Sequence, residues 1–187
     1  MANASNVTAS KPKKEGAVFR APLGSTLPAD ATAKLDEAFV CLGYCGEDGL
    51  TNANSPESDS LKAWGGDTVL TYQTAKEDTF TFVLIEALNP DVLKAVYGDD
   101  NVTGTLADGI TVKANSDEQQ AASWVIEQVM RDGAHKRIVI PSAAVTEVGD
   151  ITYSDEDAVG YETTITATPD TAGNTHYEYI KAKGATG

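Results

Sequence analysis

The feature that most constrains the fold is the run of residues 79–98, in which a strand pattern passes directly into a helix pattern. In residues 79–86 threonine alternates with phenylalanine, and β-branched and apolar residues then follow without a gap, as a buried β-strand requires. Asn89 and Pro90 are typical of the start of a helix, and Gly98 is typical of its end. Apolar residues at helical spacing predict the face that packs on the sheet: Val92, Leu93, Val96 and Tyr97. We interpret the run as a core strand and a packing helix without chemistry of its own.

Chain length and charge limit the class of protein. At 187 residues the chain fits one domain, and its net charge of −14 argues against tight binding to nucleic acid through phosphate contacts. No apolar run approaches the ~20 residues of a membrane span. Residues 1–6 lack the apolar core of a signal peptide. We therefore expect synthesis in the cytoplasm, no signal-dependent export and no membrane partner.

Most of the remaining chain has strand and turn patterns. Residues 102–106 and 110–113, for example, flank the tight-turn pair Asp108-Gly109. Residues 121–131 are ambiguous, because their apolar spacing favours a helix whereas the Asp132-Gly133 turn after them favours a hairpin strand; we adopt the strand. The predicted class is mainly β: a β-sandwich or partial barrel flanked by one short α-helix.

A long polar stretch, residues 45–67, interrupts the strand patterns. Loop-forming residues dominate it, and a loop of this length in a compact domain is usually functional or flexible. Its large apolar residues are Leu50, Leu61 and Trp64. Two interpretations remain open: Trp64 folds back onto the core of its own domain, or the loop packs against a neighbouring subunit.

Residue types that carry catalysis or bind metals do not form a recognisable site in the sequence. Cys41 and Cys45 lack the four-ligand pattern of a structural zinc site, and we interpret them as reduced core or loop residues. His135 and His176 stand apart, and the acidic run 155–157 lacks the alternating ligands of a calcium loop. We therefore predict no catalytic, cofactor-binding or metal-binding residues and no enzymatic activity.

Several segments, taken in order, resemble the tail tube proteins of long-tailed bacteriophages. They are Ala17-Val18-Phe19-Arg20-Ala21-Pro22-Leu23-Gly24, Phe39-Val40, Leu42-Gly43-Tyr44, Glu47-Asp48-Gly49-Leu50-Thr51, Ala63-Trp64-Gly65-Gly66-Asp67 and the run from Leu88 to Gly98. The resemblance extends from about residue 17 to about residue 181 and is carried by the order and spacing of these segments.

The resemblance implies a structural virion protein of a siphovirus-type tail. Six copies would form a ring whose inner strands join into one barrel, and stacked rings would make the tube through which DNA passes without specific binding. It also implies the partners: other copies, a tape measure protein, and tail terminator and distal tail proteins. The expected location is the virion tail, after assembly in the host cytoplasm.

The resemblance also suggests a division of the chain. Residues 1–16 would be a flexible N-terminal arm, residues 17–183 one sandwich domain, and residues 184–187 a C-terminal tail. Residues 45–67 would be the loop that reaches the next ring, anchored there by Leu50, Leu61 and Trp64. The acidic balance adds the expectation of a channel lining that does not hold DNA.

Three alternatives are compatible with the sequence. The first is the tube protein of a contractile injection system, the second a monomeric β-sandwich binding module, and the third a small β-rich enzyme. The absence of a recognisable catalytic pattern counts against the third, and a persistent monomer would favour the second.

Overall fold

The computed structural model describes residues 1–183 of the chain. Within these residues one α-helix, α1, spans Pro90–Tyr97, and short 3₁₀ turns span Ala4–Asn6 and Asp99–Asn101. The strands are β1 (Ser10–Pro12), β2 (Val18–Pro22), β3 (Val40–Cys41), β4 (Cys45–Lys62), β5 (Thr68–Leu84), β6 (Val102–Thr105), β7 (Gly109–Val112), β8 (Ala122–Met130), β9 (His135–Val148), β10 (Tyr161–Ala167) and β11 (Tyr177–Lys181). The predicted C-terminal tail, residues 184–187, lies outside the described residues.

One large antiparallel sheet contains nine of these strands. Its order is β3-β2-β8-β9-β10-β5-β4, with β1 also paired to β8 and β11 also paired to β9; β6 and β7 form a separate hairpin. β9 is long enough to belong to two parts of the sheet. Its residues 135–139 pair with β11, and its residues 143–148 pair with β10. The mainly β class with one short helix is confirmed, and the sheet is not a closed barrel in the monomer.

The main core lies between two parts of this sheet, because β5 and β8 face each other across it. Phe80, Phe82 and Leu84 point inward from alternate positions of β5 and are buried. The ring centroids of Phe82 and Trp124, on β8, are 6.1 Å apart. The helix adds its apolar face to the same core: Val92, Leu93 and Val96 are buried, and Tyr97 is half-buried.

Both ends of the helix are closed by the residues at its boundaries. The Asn89 side chain accepts a hydrogen bond from the backbone N–H of Asp91 at 3.0 Å. The backbone N–H of Gly98 donates to the carbonyl of Lys94, with Gly98 at a φ of +97° that favours glycine. The helix is far shorter than a bilayer requires; no helix in residues 1–183 is both long and apolar enough to cross a membrane.

A second apolar cluster covers the opposite face of β8 and β9. It consists of Ala21, Phe39, Val125 and Val139, with further apolar residues from the 27–38 segment packed against it. β8 is therefore buried on both faces, which explains why its pattern lacks the alternation of a half-exposed strand. The strand interpretation of residues 121–131 is confirmed, since β8 covers residues 122–130.

A buried ion pair lies within this second layer. The Arg137 side chain is 2% exposed and that of Glu127 1% exposed. Arg137 donates two hydrogen bonds, from Nε and Nη2, to Oε1 of Glu127, and a third from Nη1 to the backbone carbonyl of Asp30. The pair thus ties the segment before β3 to the sheet.

The absence of secondary structure predicted for residues 45–67 is wrong. Residues 45–62 form β4, which pairs with β5 along most of its length. No apolar alternation marks these residues as a strand, because the outer part of this hairpin is exposed on both faces. At the N-terminus, residues 10–12 of the expected flexible arm pair with β8.

Candidate functional surfaces: the hairpin arm and the open face of the sheet

The outer part of the β4–β5 hairpin, residues 54–77, projects from the domain and is called the hairpin arm here. Every residue in this range is exposed. The strands stay paired from Asn54 opposite Asp78 to Lys62 opposite Thr68. At the tip the backbone N–H of Gly66 donates to the carbonyl of Ala63, and Gly66 has a φ of +99°.

The arm carries large apolar side chains in the open. Trp64 at the tip is fully exposed, which excludes the interpretation that it folds back onto its own core. Leu61 lies opposite Leu70, and Tyr72 lies two residues from Leu70, so these three side chains share one face of the arm. An isolated two-stranded ribbon is marginally stable in water. The arm therefore gains little stability from its own side chains, which lie exposed on both of its faces.

Leu50, the third residue predicted to contact a neighbour, lies elsewhere. It precedes the arm on β4, is half-buried, and packs against the main core of its own domain opposite Phe82. The structure thus places Leu61 and Trp64 on the arm and Leu50 at the domain side of the hairpin.

A buried carboxylate, Asp78, marks the point where the arm leaves the domain. It is 1% exposed and accepts hydrogen bonds from Asn52 of β4, at 2.8 Å, and from Thr175 and His176, which precede β11. Burial opposes its ionisation, but the hydrogen bonds from Thr175, His176 and Asn52 outweigh that effect and hold the pKa of Asp78 below its ordinary value. The His176 ring meets Phe80 edge-on, at a centroid distance of 5.3 Å. The cluster fixes both strands of the hairpin to a third segment of the chain.

The face of β4, β5, β10 and the second part of β9 that points away from the main core is called the open face here. The strand registers determine which residues belong to this face, because residues directly opposite each other on paired strands share a face. Two rows cross it: Thr51–Thr81–Thr164–Glu147 and Ala53–Thr79–Thr166–Ala144. The core residues Phe80, Phe82 and Ile165 alternate with these rows and point the other way. Glu162 and Val83, which lie opposite each other, and Thr146, whose hydroxyl contacts that of Thr166, complete the face.

Hydroxyl groups dominate the chemistry of the open face. The Thr81 and Thr164 hydroxyls are 2.9 Å apart, and those of Thr146 and Thr166 are 2.8 Å apart, so neighbouring strands are linked by side-chain hydrogen bonds. The charged side chains in the two rows and their three additions are carboxylates, Glu147 and Glu162; none is Lys or Arg. A surface of this kind offers no cation to a phosphate group.

Sequence reasoning did not identify the open face or the Asp78 cluster. The alternation Thr79, Thr81 on β5 and Thr164, Thr166 on β10 was present as a signal, since threonine at every second position indicates one polar face of a strand. The Asp78 cluster had no such signal, because its members are brought together by the fold from distant parts of the chain.

The remaining candidate groups do not converge on a reactive site. Cys41 and Cys45 are free, and burial raises the pKa of the Cys45 thiol to about 11, far from the range of a reactive thiolate. In the described part of the chain, no group of three or more His, Cys, Asp or Glu side chains is arranged to hold a metal ion. Arg20 faces a surface depression but is occupied by two hydrogen bonds to the Asp99 carboxylate, each 2.8 Å long.

Comparison with known proteins gives one finding that covers nearly the whole chain. A family model described as "Phage tail tube protein" matches residues 2–186. No curated protein matches the sequence.

Proposed function

This chain belongs to the phage tail tube protein family, and from that premise we propose that its copies form stacked hexameric rings that enclose the conduit for DNA delivery into the host. Membership of this family makes it a structural component of the virion tail. The function proposed is therefore geometric: the protein shapes a channel and extends it by adding rings.

The hairpin arm is the observation that carries the proposal. It projects from the domain, exposes Leu61, Leu70, Tyr72 and Trp64, and lacks a core of its own. A second copy in the adjacent ring supplies the missing surface, and burial of a Trp at such a contact contributes ~2 kcal/mol or more. The Asp78 cluster fixes the direction in which the arm leaves its domain, so that all arms of a ring point the same way.

The open face supports the channel. If this face lines the lumen, passing DNA meets threonine hydroxyls and the carboxylates of Glu147 and Glu162 rather than cations. Hydroxyls are hydrated and uncharged, and carboxylates repel phosphates, so the lining does not hold the DNA. The acidic expectation made from the net charge becomes more specific: the lining is chiefly neutral and polar, with two acidic positions.

The remaining parts of the proposal follow from the same role. Copies assemble in the host cytoplasm around a tape measure protein, and tail terminator and distal tail proteins bind the two ends of the tube. The hairpin arm makes the contact with the next ring that the sequence led us to expect of residues 45–67. Leu61 and Trp64 lie in that contact, whereas Leu50 supports the hairpin from within its own domain.

Electron microscopy of the purified protein at increasing concentration tests the proposal. Wild-type protein should form rings and tubes, and Trp64→Ala should leave the domain folded but shorten or abolish the tubes. Leu106→Ala is the matched control, because Leu106 is also exposed, at 61%, but lies outside the arm. Tubes of normal length from Trp64→Ala would refute the role of the arm, and wild-type protein that stays monomeric would refute the proposed function.

A further inference from the structure

Within the hairpin arm, the strand pairing skips two residues of β5, Thr74 and Val69. The pairs on either side of the skipped residues are Glu57–Ala75 with Ser58–Gln73, and Leu61–Leu70 with Lys62–Thr68. Each skip is a β-bulge, in which one strand carries one residue more than its partner. Both bulges lie in the same strand, so residues 68–78 of β5 face only residues 54–62 of β4.

The pairing of the arm does not depend on the two bulge residues. Removing either one would leave a continuous ladder in which every pair keeps its present partner. The apolar face formed by Leu61, Leu70 and Tyr72 would be kept as well, since these residues would stay in register. A bulge interrupts the ladder of a ribbon that is only marginally stable by itself. The two extra residues therefore serve something other than the folding of the arm.

The extra residues change the shape of the arm. Two residues make β5 about 7 Å longer than β4 over the same span. A bulge bends the strand that carries it and increases the local right-handed twist. Because the longer strand takes the outside of a bend, the arm bends toward β4. β4 is the last strand in the sheet order, so this bend carries the tip sideways past the border of its own sheet.

We propose that Thr74 and Val69 are positioning residues, whose bulges aim the arm and thereby set the rotation of each ring relative to the ring before it. The inference rests on the proposed function and adds to it the angle at which rings stack. A straight arm would meet the copy in line with its own, whereas an arm bent toward β4 meets the next ring at a sideways offset. Trp64 lies beyond both bulges, and the Asp78 cluster lies before them. The bulges therefore move the contact and leave the fixed base of the arm in place.

The size of the channel wall gives the expected rotation. If the four strands of the open face form the wall in each of six copies, strands about 4.8 Å apart enclose a circumference of roughly 115 Å. Loss of one extra residue shortens β5 by about 3.3 Å, and the tip moves sideways by a similar distance. On that circumference the movement turns the next ring by about 10°, and loss of both bulges turns it by about 20°.

Deletion variants test the proposal in assembled tubes, with the rotation per ring measured by cryo-electron microscopy. Deletion of Thr74 or of Val69 should shift the rotation by about 10° from that of wild-type tubes, and the double deletion by about 20°. Thr74→Ala and Val69→Ala are the matched controls: they keep the extra residues and remove only side-chain atoms, so the wild-type rotation should persist. A rescue variant deletes Thr74 and inserts one alanine after Lys76. It returns the extra residue to β5 and should restore the rotation.

The outcomes separate the bulges from the proposed function. Wild-type tubes are the reference, and their failure to form would overturn the proposed function itself. Given those tubes, an unchanged rotation in the double deletion, or a rotation that shifts in the alanine variants, would overturn the role of the bulges. If deletion of Thr74 abolishes tubes, the rescue variant decides. Tubes from the rescue variant support the role of the extra residue, and loss of tubes there as well overturns it.

Discussion

The buried pair of Glu127 and Arg137 makes a prediction whose magnitude follows from its contacts. Glu127 is 1% exposed in the wild type, and Arg137→Met removes both of its guanidinium hydrogen bonds. Leaving one buried charge without its partner costs ~3–5 kcal/mol. For a chain of this length that corresponds to a fall in Tm of about 6 to 20 °C. The double variant Glu127→Leu with Arg137→Met removes the unpaired charge as well, and it should regain most of the stability that Arg137→Met loses.

The double variant should not regain the full stability of the wild type, because the carbonyl of Asp30 also loses a hydrogen bond. This carbonyl accepts the third Arg137 hydrogen bond, at 2.6 Å, and loses that donor in both variants, which costs ~1 kcal/mol. Urea and thermal unfolding of the three proteins, at one concentration below the onset of assembly, measure the difference. The double variant should be at least ~2 kcal/mol more stable than the single variant. A double variant as unstable as Arg137→Met, or a single variant within ~1 kcal/mol of the wild type, would refute the reasoning.

Two further predictions concern the surfaces. The pKa of Asp78 is lowered from its ordinary value of 3.8 in the folded chain, so its ionised form stabilises the protein above that value, and the contribution is lost as the pH falls through the folded pKa. Asp78→Asn should therefore lose less stability than the wild type when urea midpoints are measured from pH 6 downward, and an unchanged pH dependence would contradict the assignment. Thr164→Lys places a cation on the open face, and its tubes should retain DNA at low salt and release it as salt rises. Thr103→Lys, on the exposed β6 strand, serves as the control; equal retention by both variants would contradict the lining.

Residues 79–98 could be predicted from the sequence because their signals are local. Alternation on the inner half of β5, the Asn89-Pro90 start and the Gly98 end each depend on a few adjacent residues. The same holds for β8, where the Asp132-Gly133 turn outweighed a helix-like spacing that arises because both faces of the strand are buried. The mainly β class follows from many such local signals.

The hairpin arm and the Asp78 cluster could not be predicted, because they depend on pairing between distant residues. Residues 54–62 become a strand only through their ladder with residues 68–78, and their polar side chains show no period. Nothing in the sequence marks Asp78, because Thr175 and His176 reach it only in the folded chain. The apolar cluster formed with the 27–38 segment likewise joins parts of the chain that carry no mutual sequence signal.

The sharing of β9 between two parts of the sheet has a mechanical consequence. One continuous backbone runs from the densely packed layer beside β8 into the portion beside β10, and the Trp124 indole N–H holds the junction by donating to the carbonyl of Ala143 at 3.1 Å. Close-packed interiors resist compression and transmit strain. A force applied to the open face is therefore transmitted directly to the layer beside β8, and the two parts of the sheet deform together as one stiff unit.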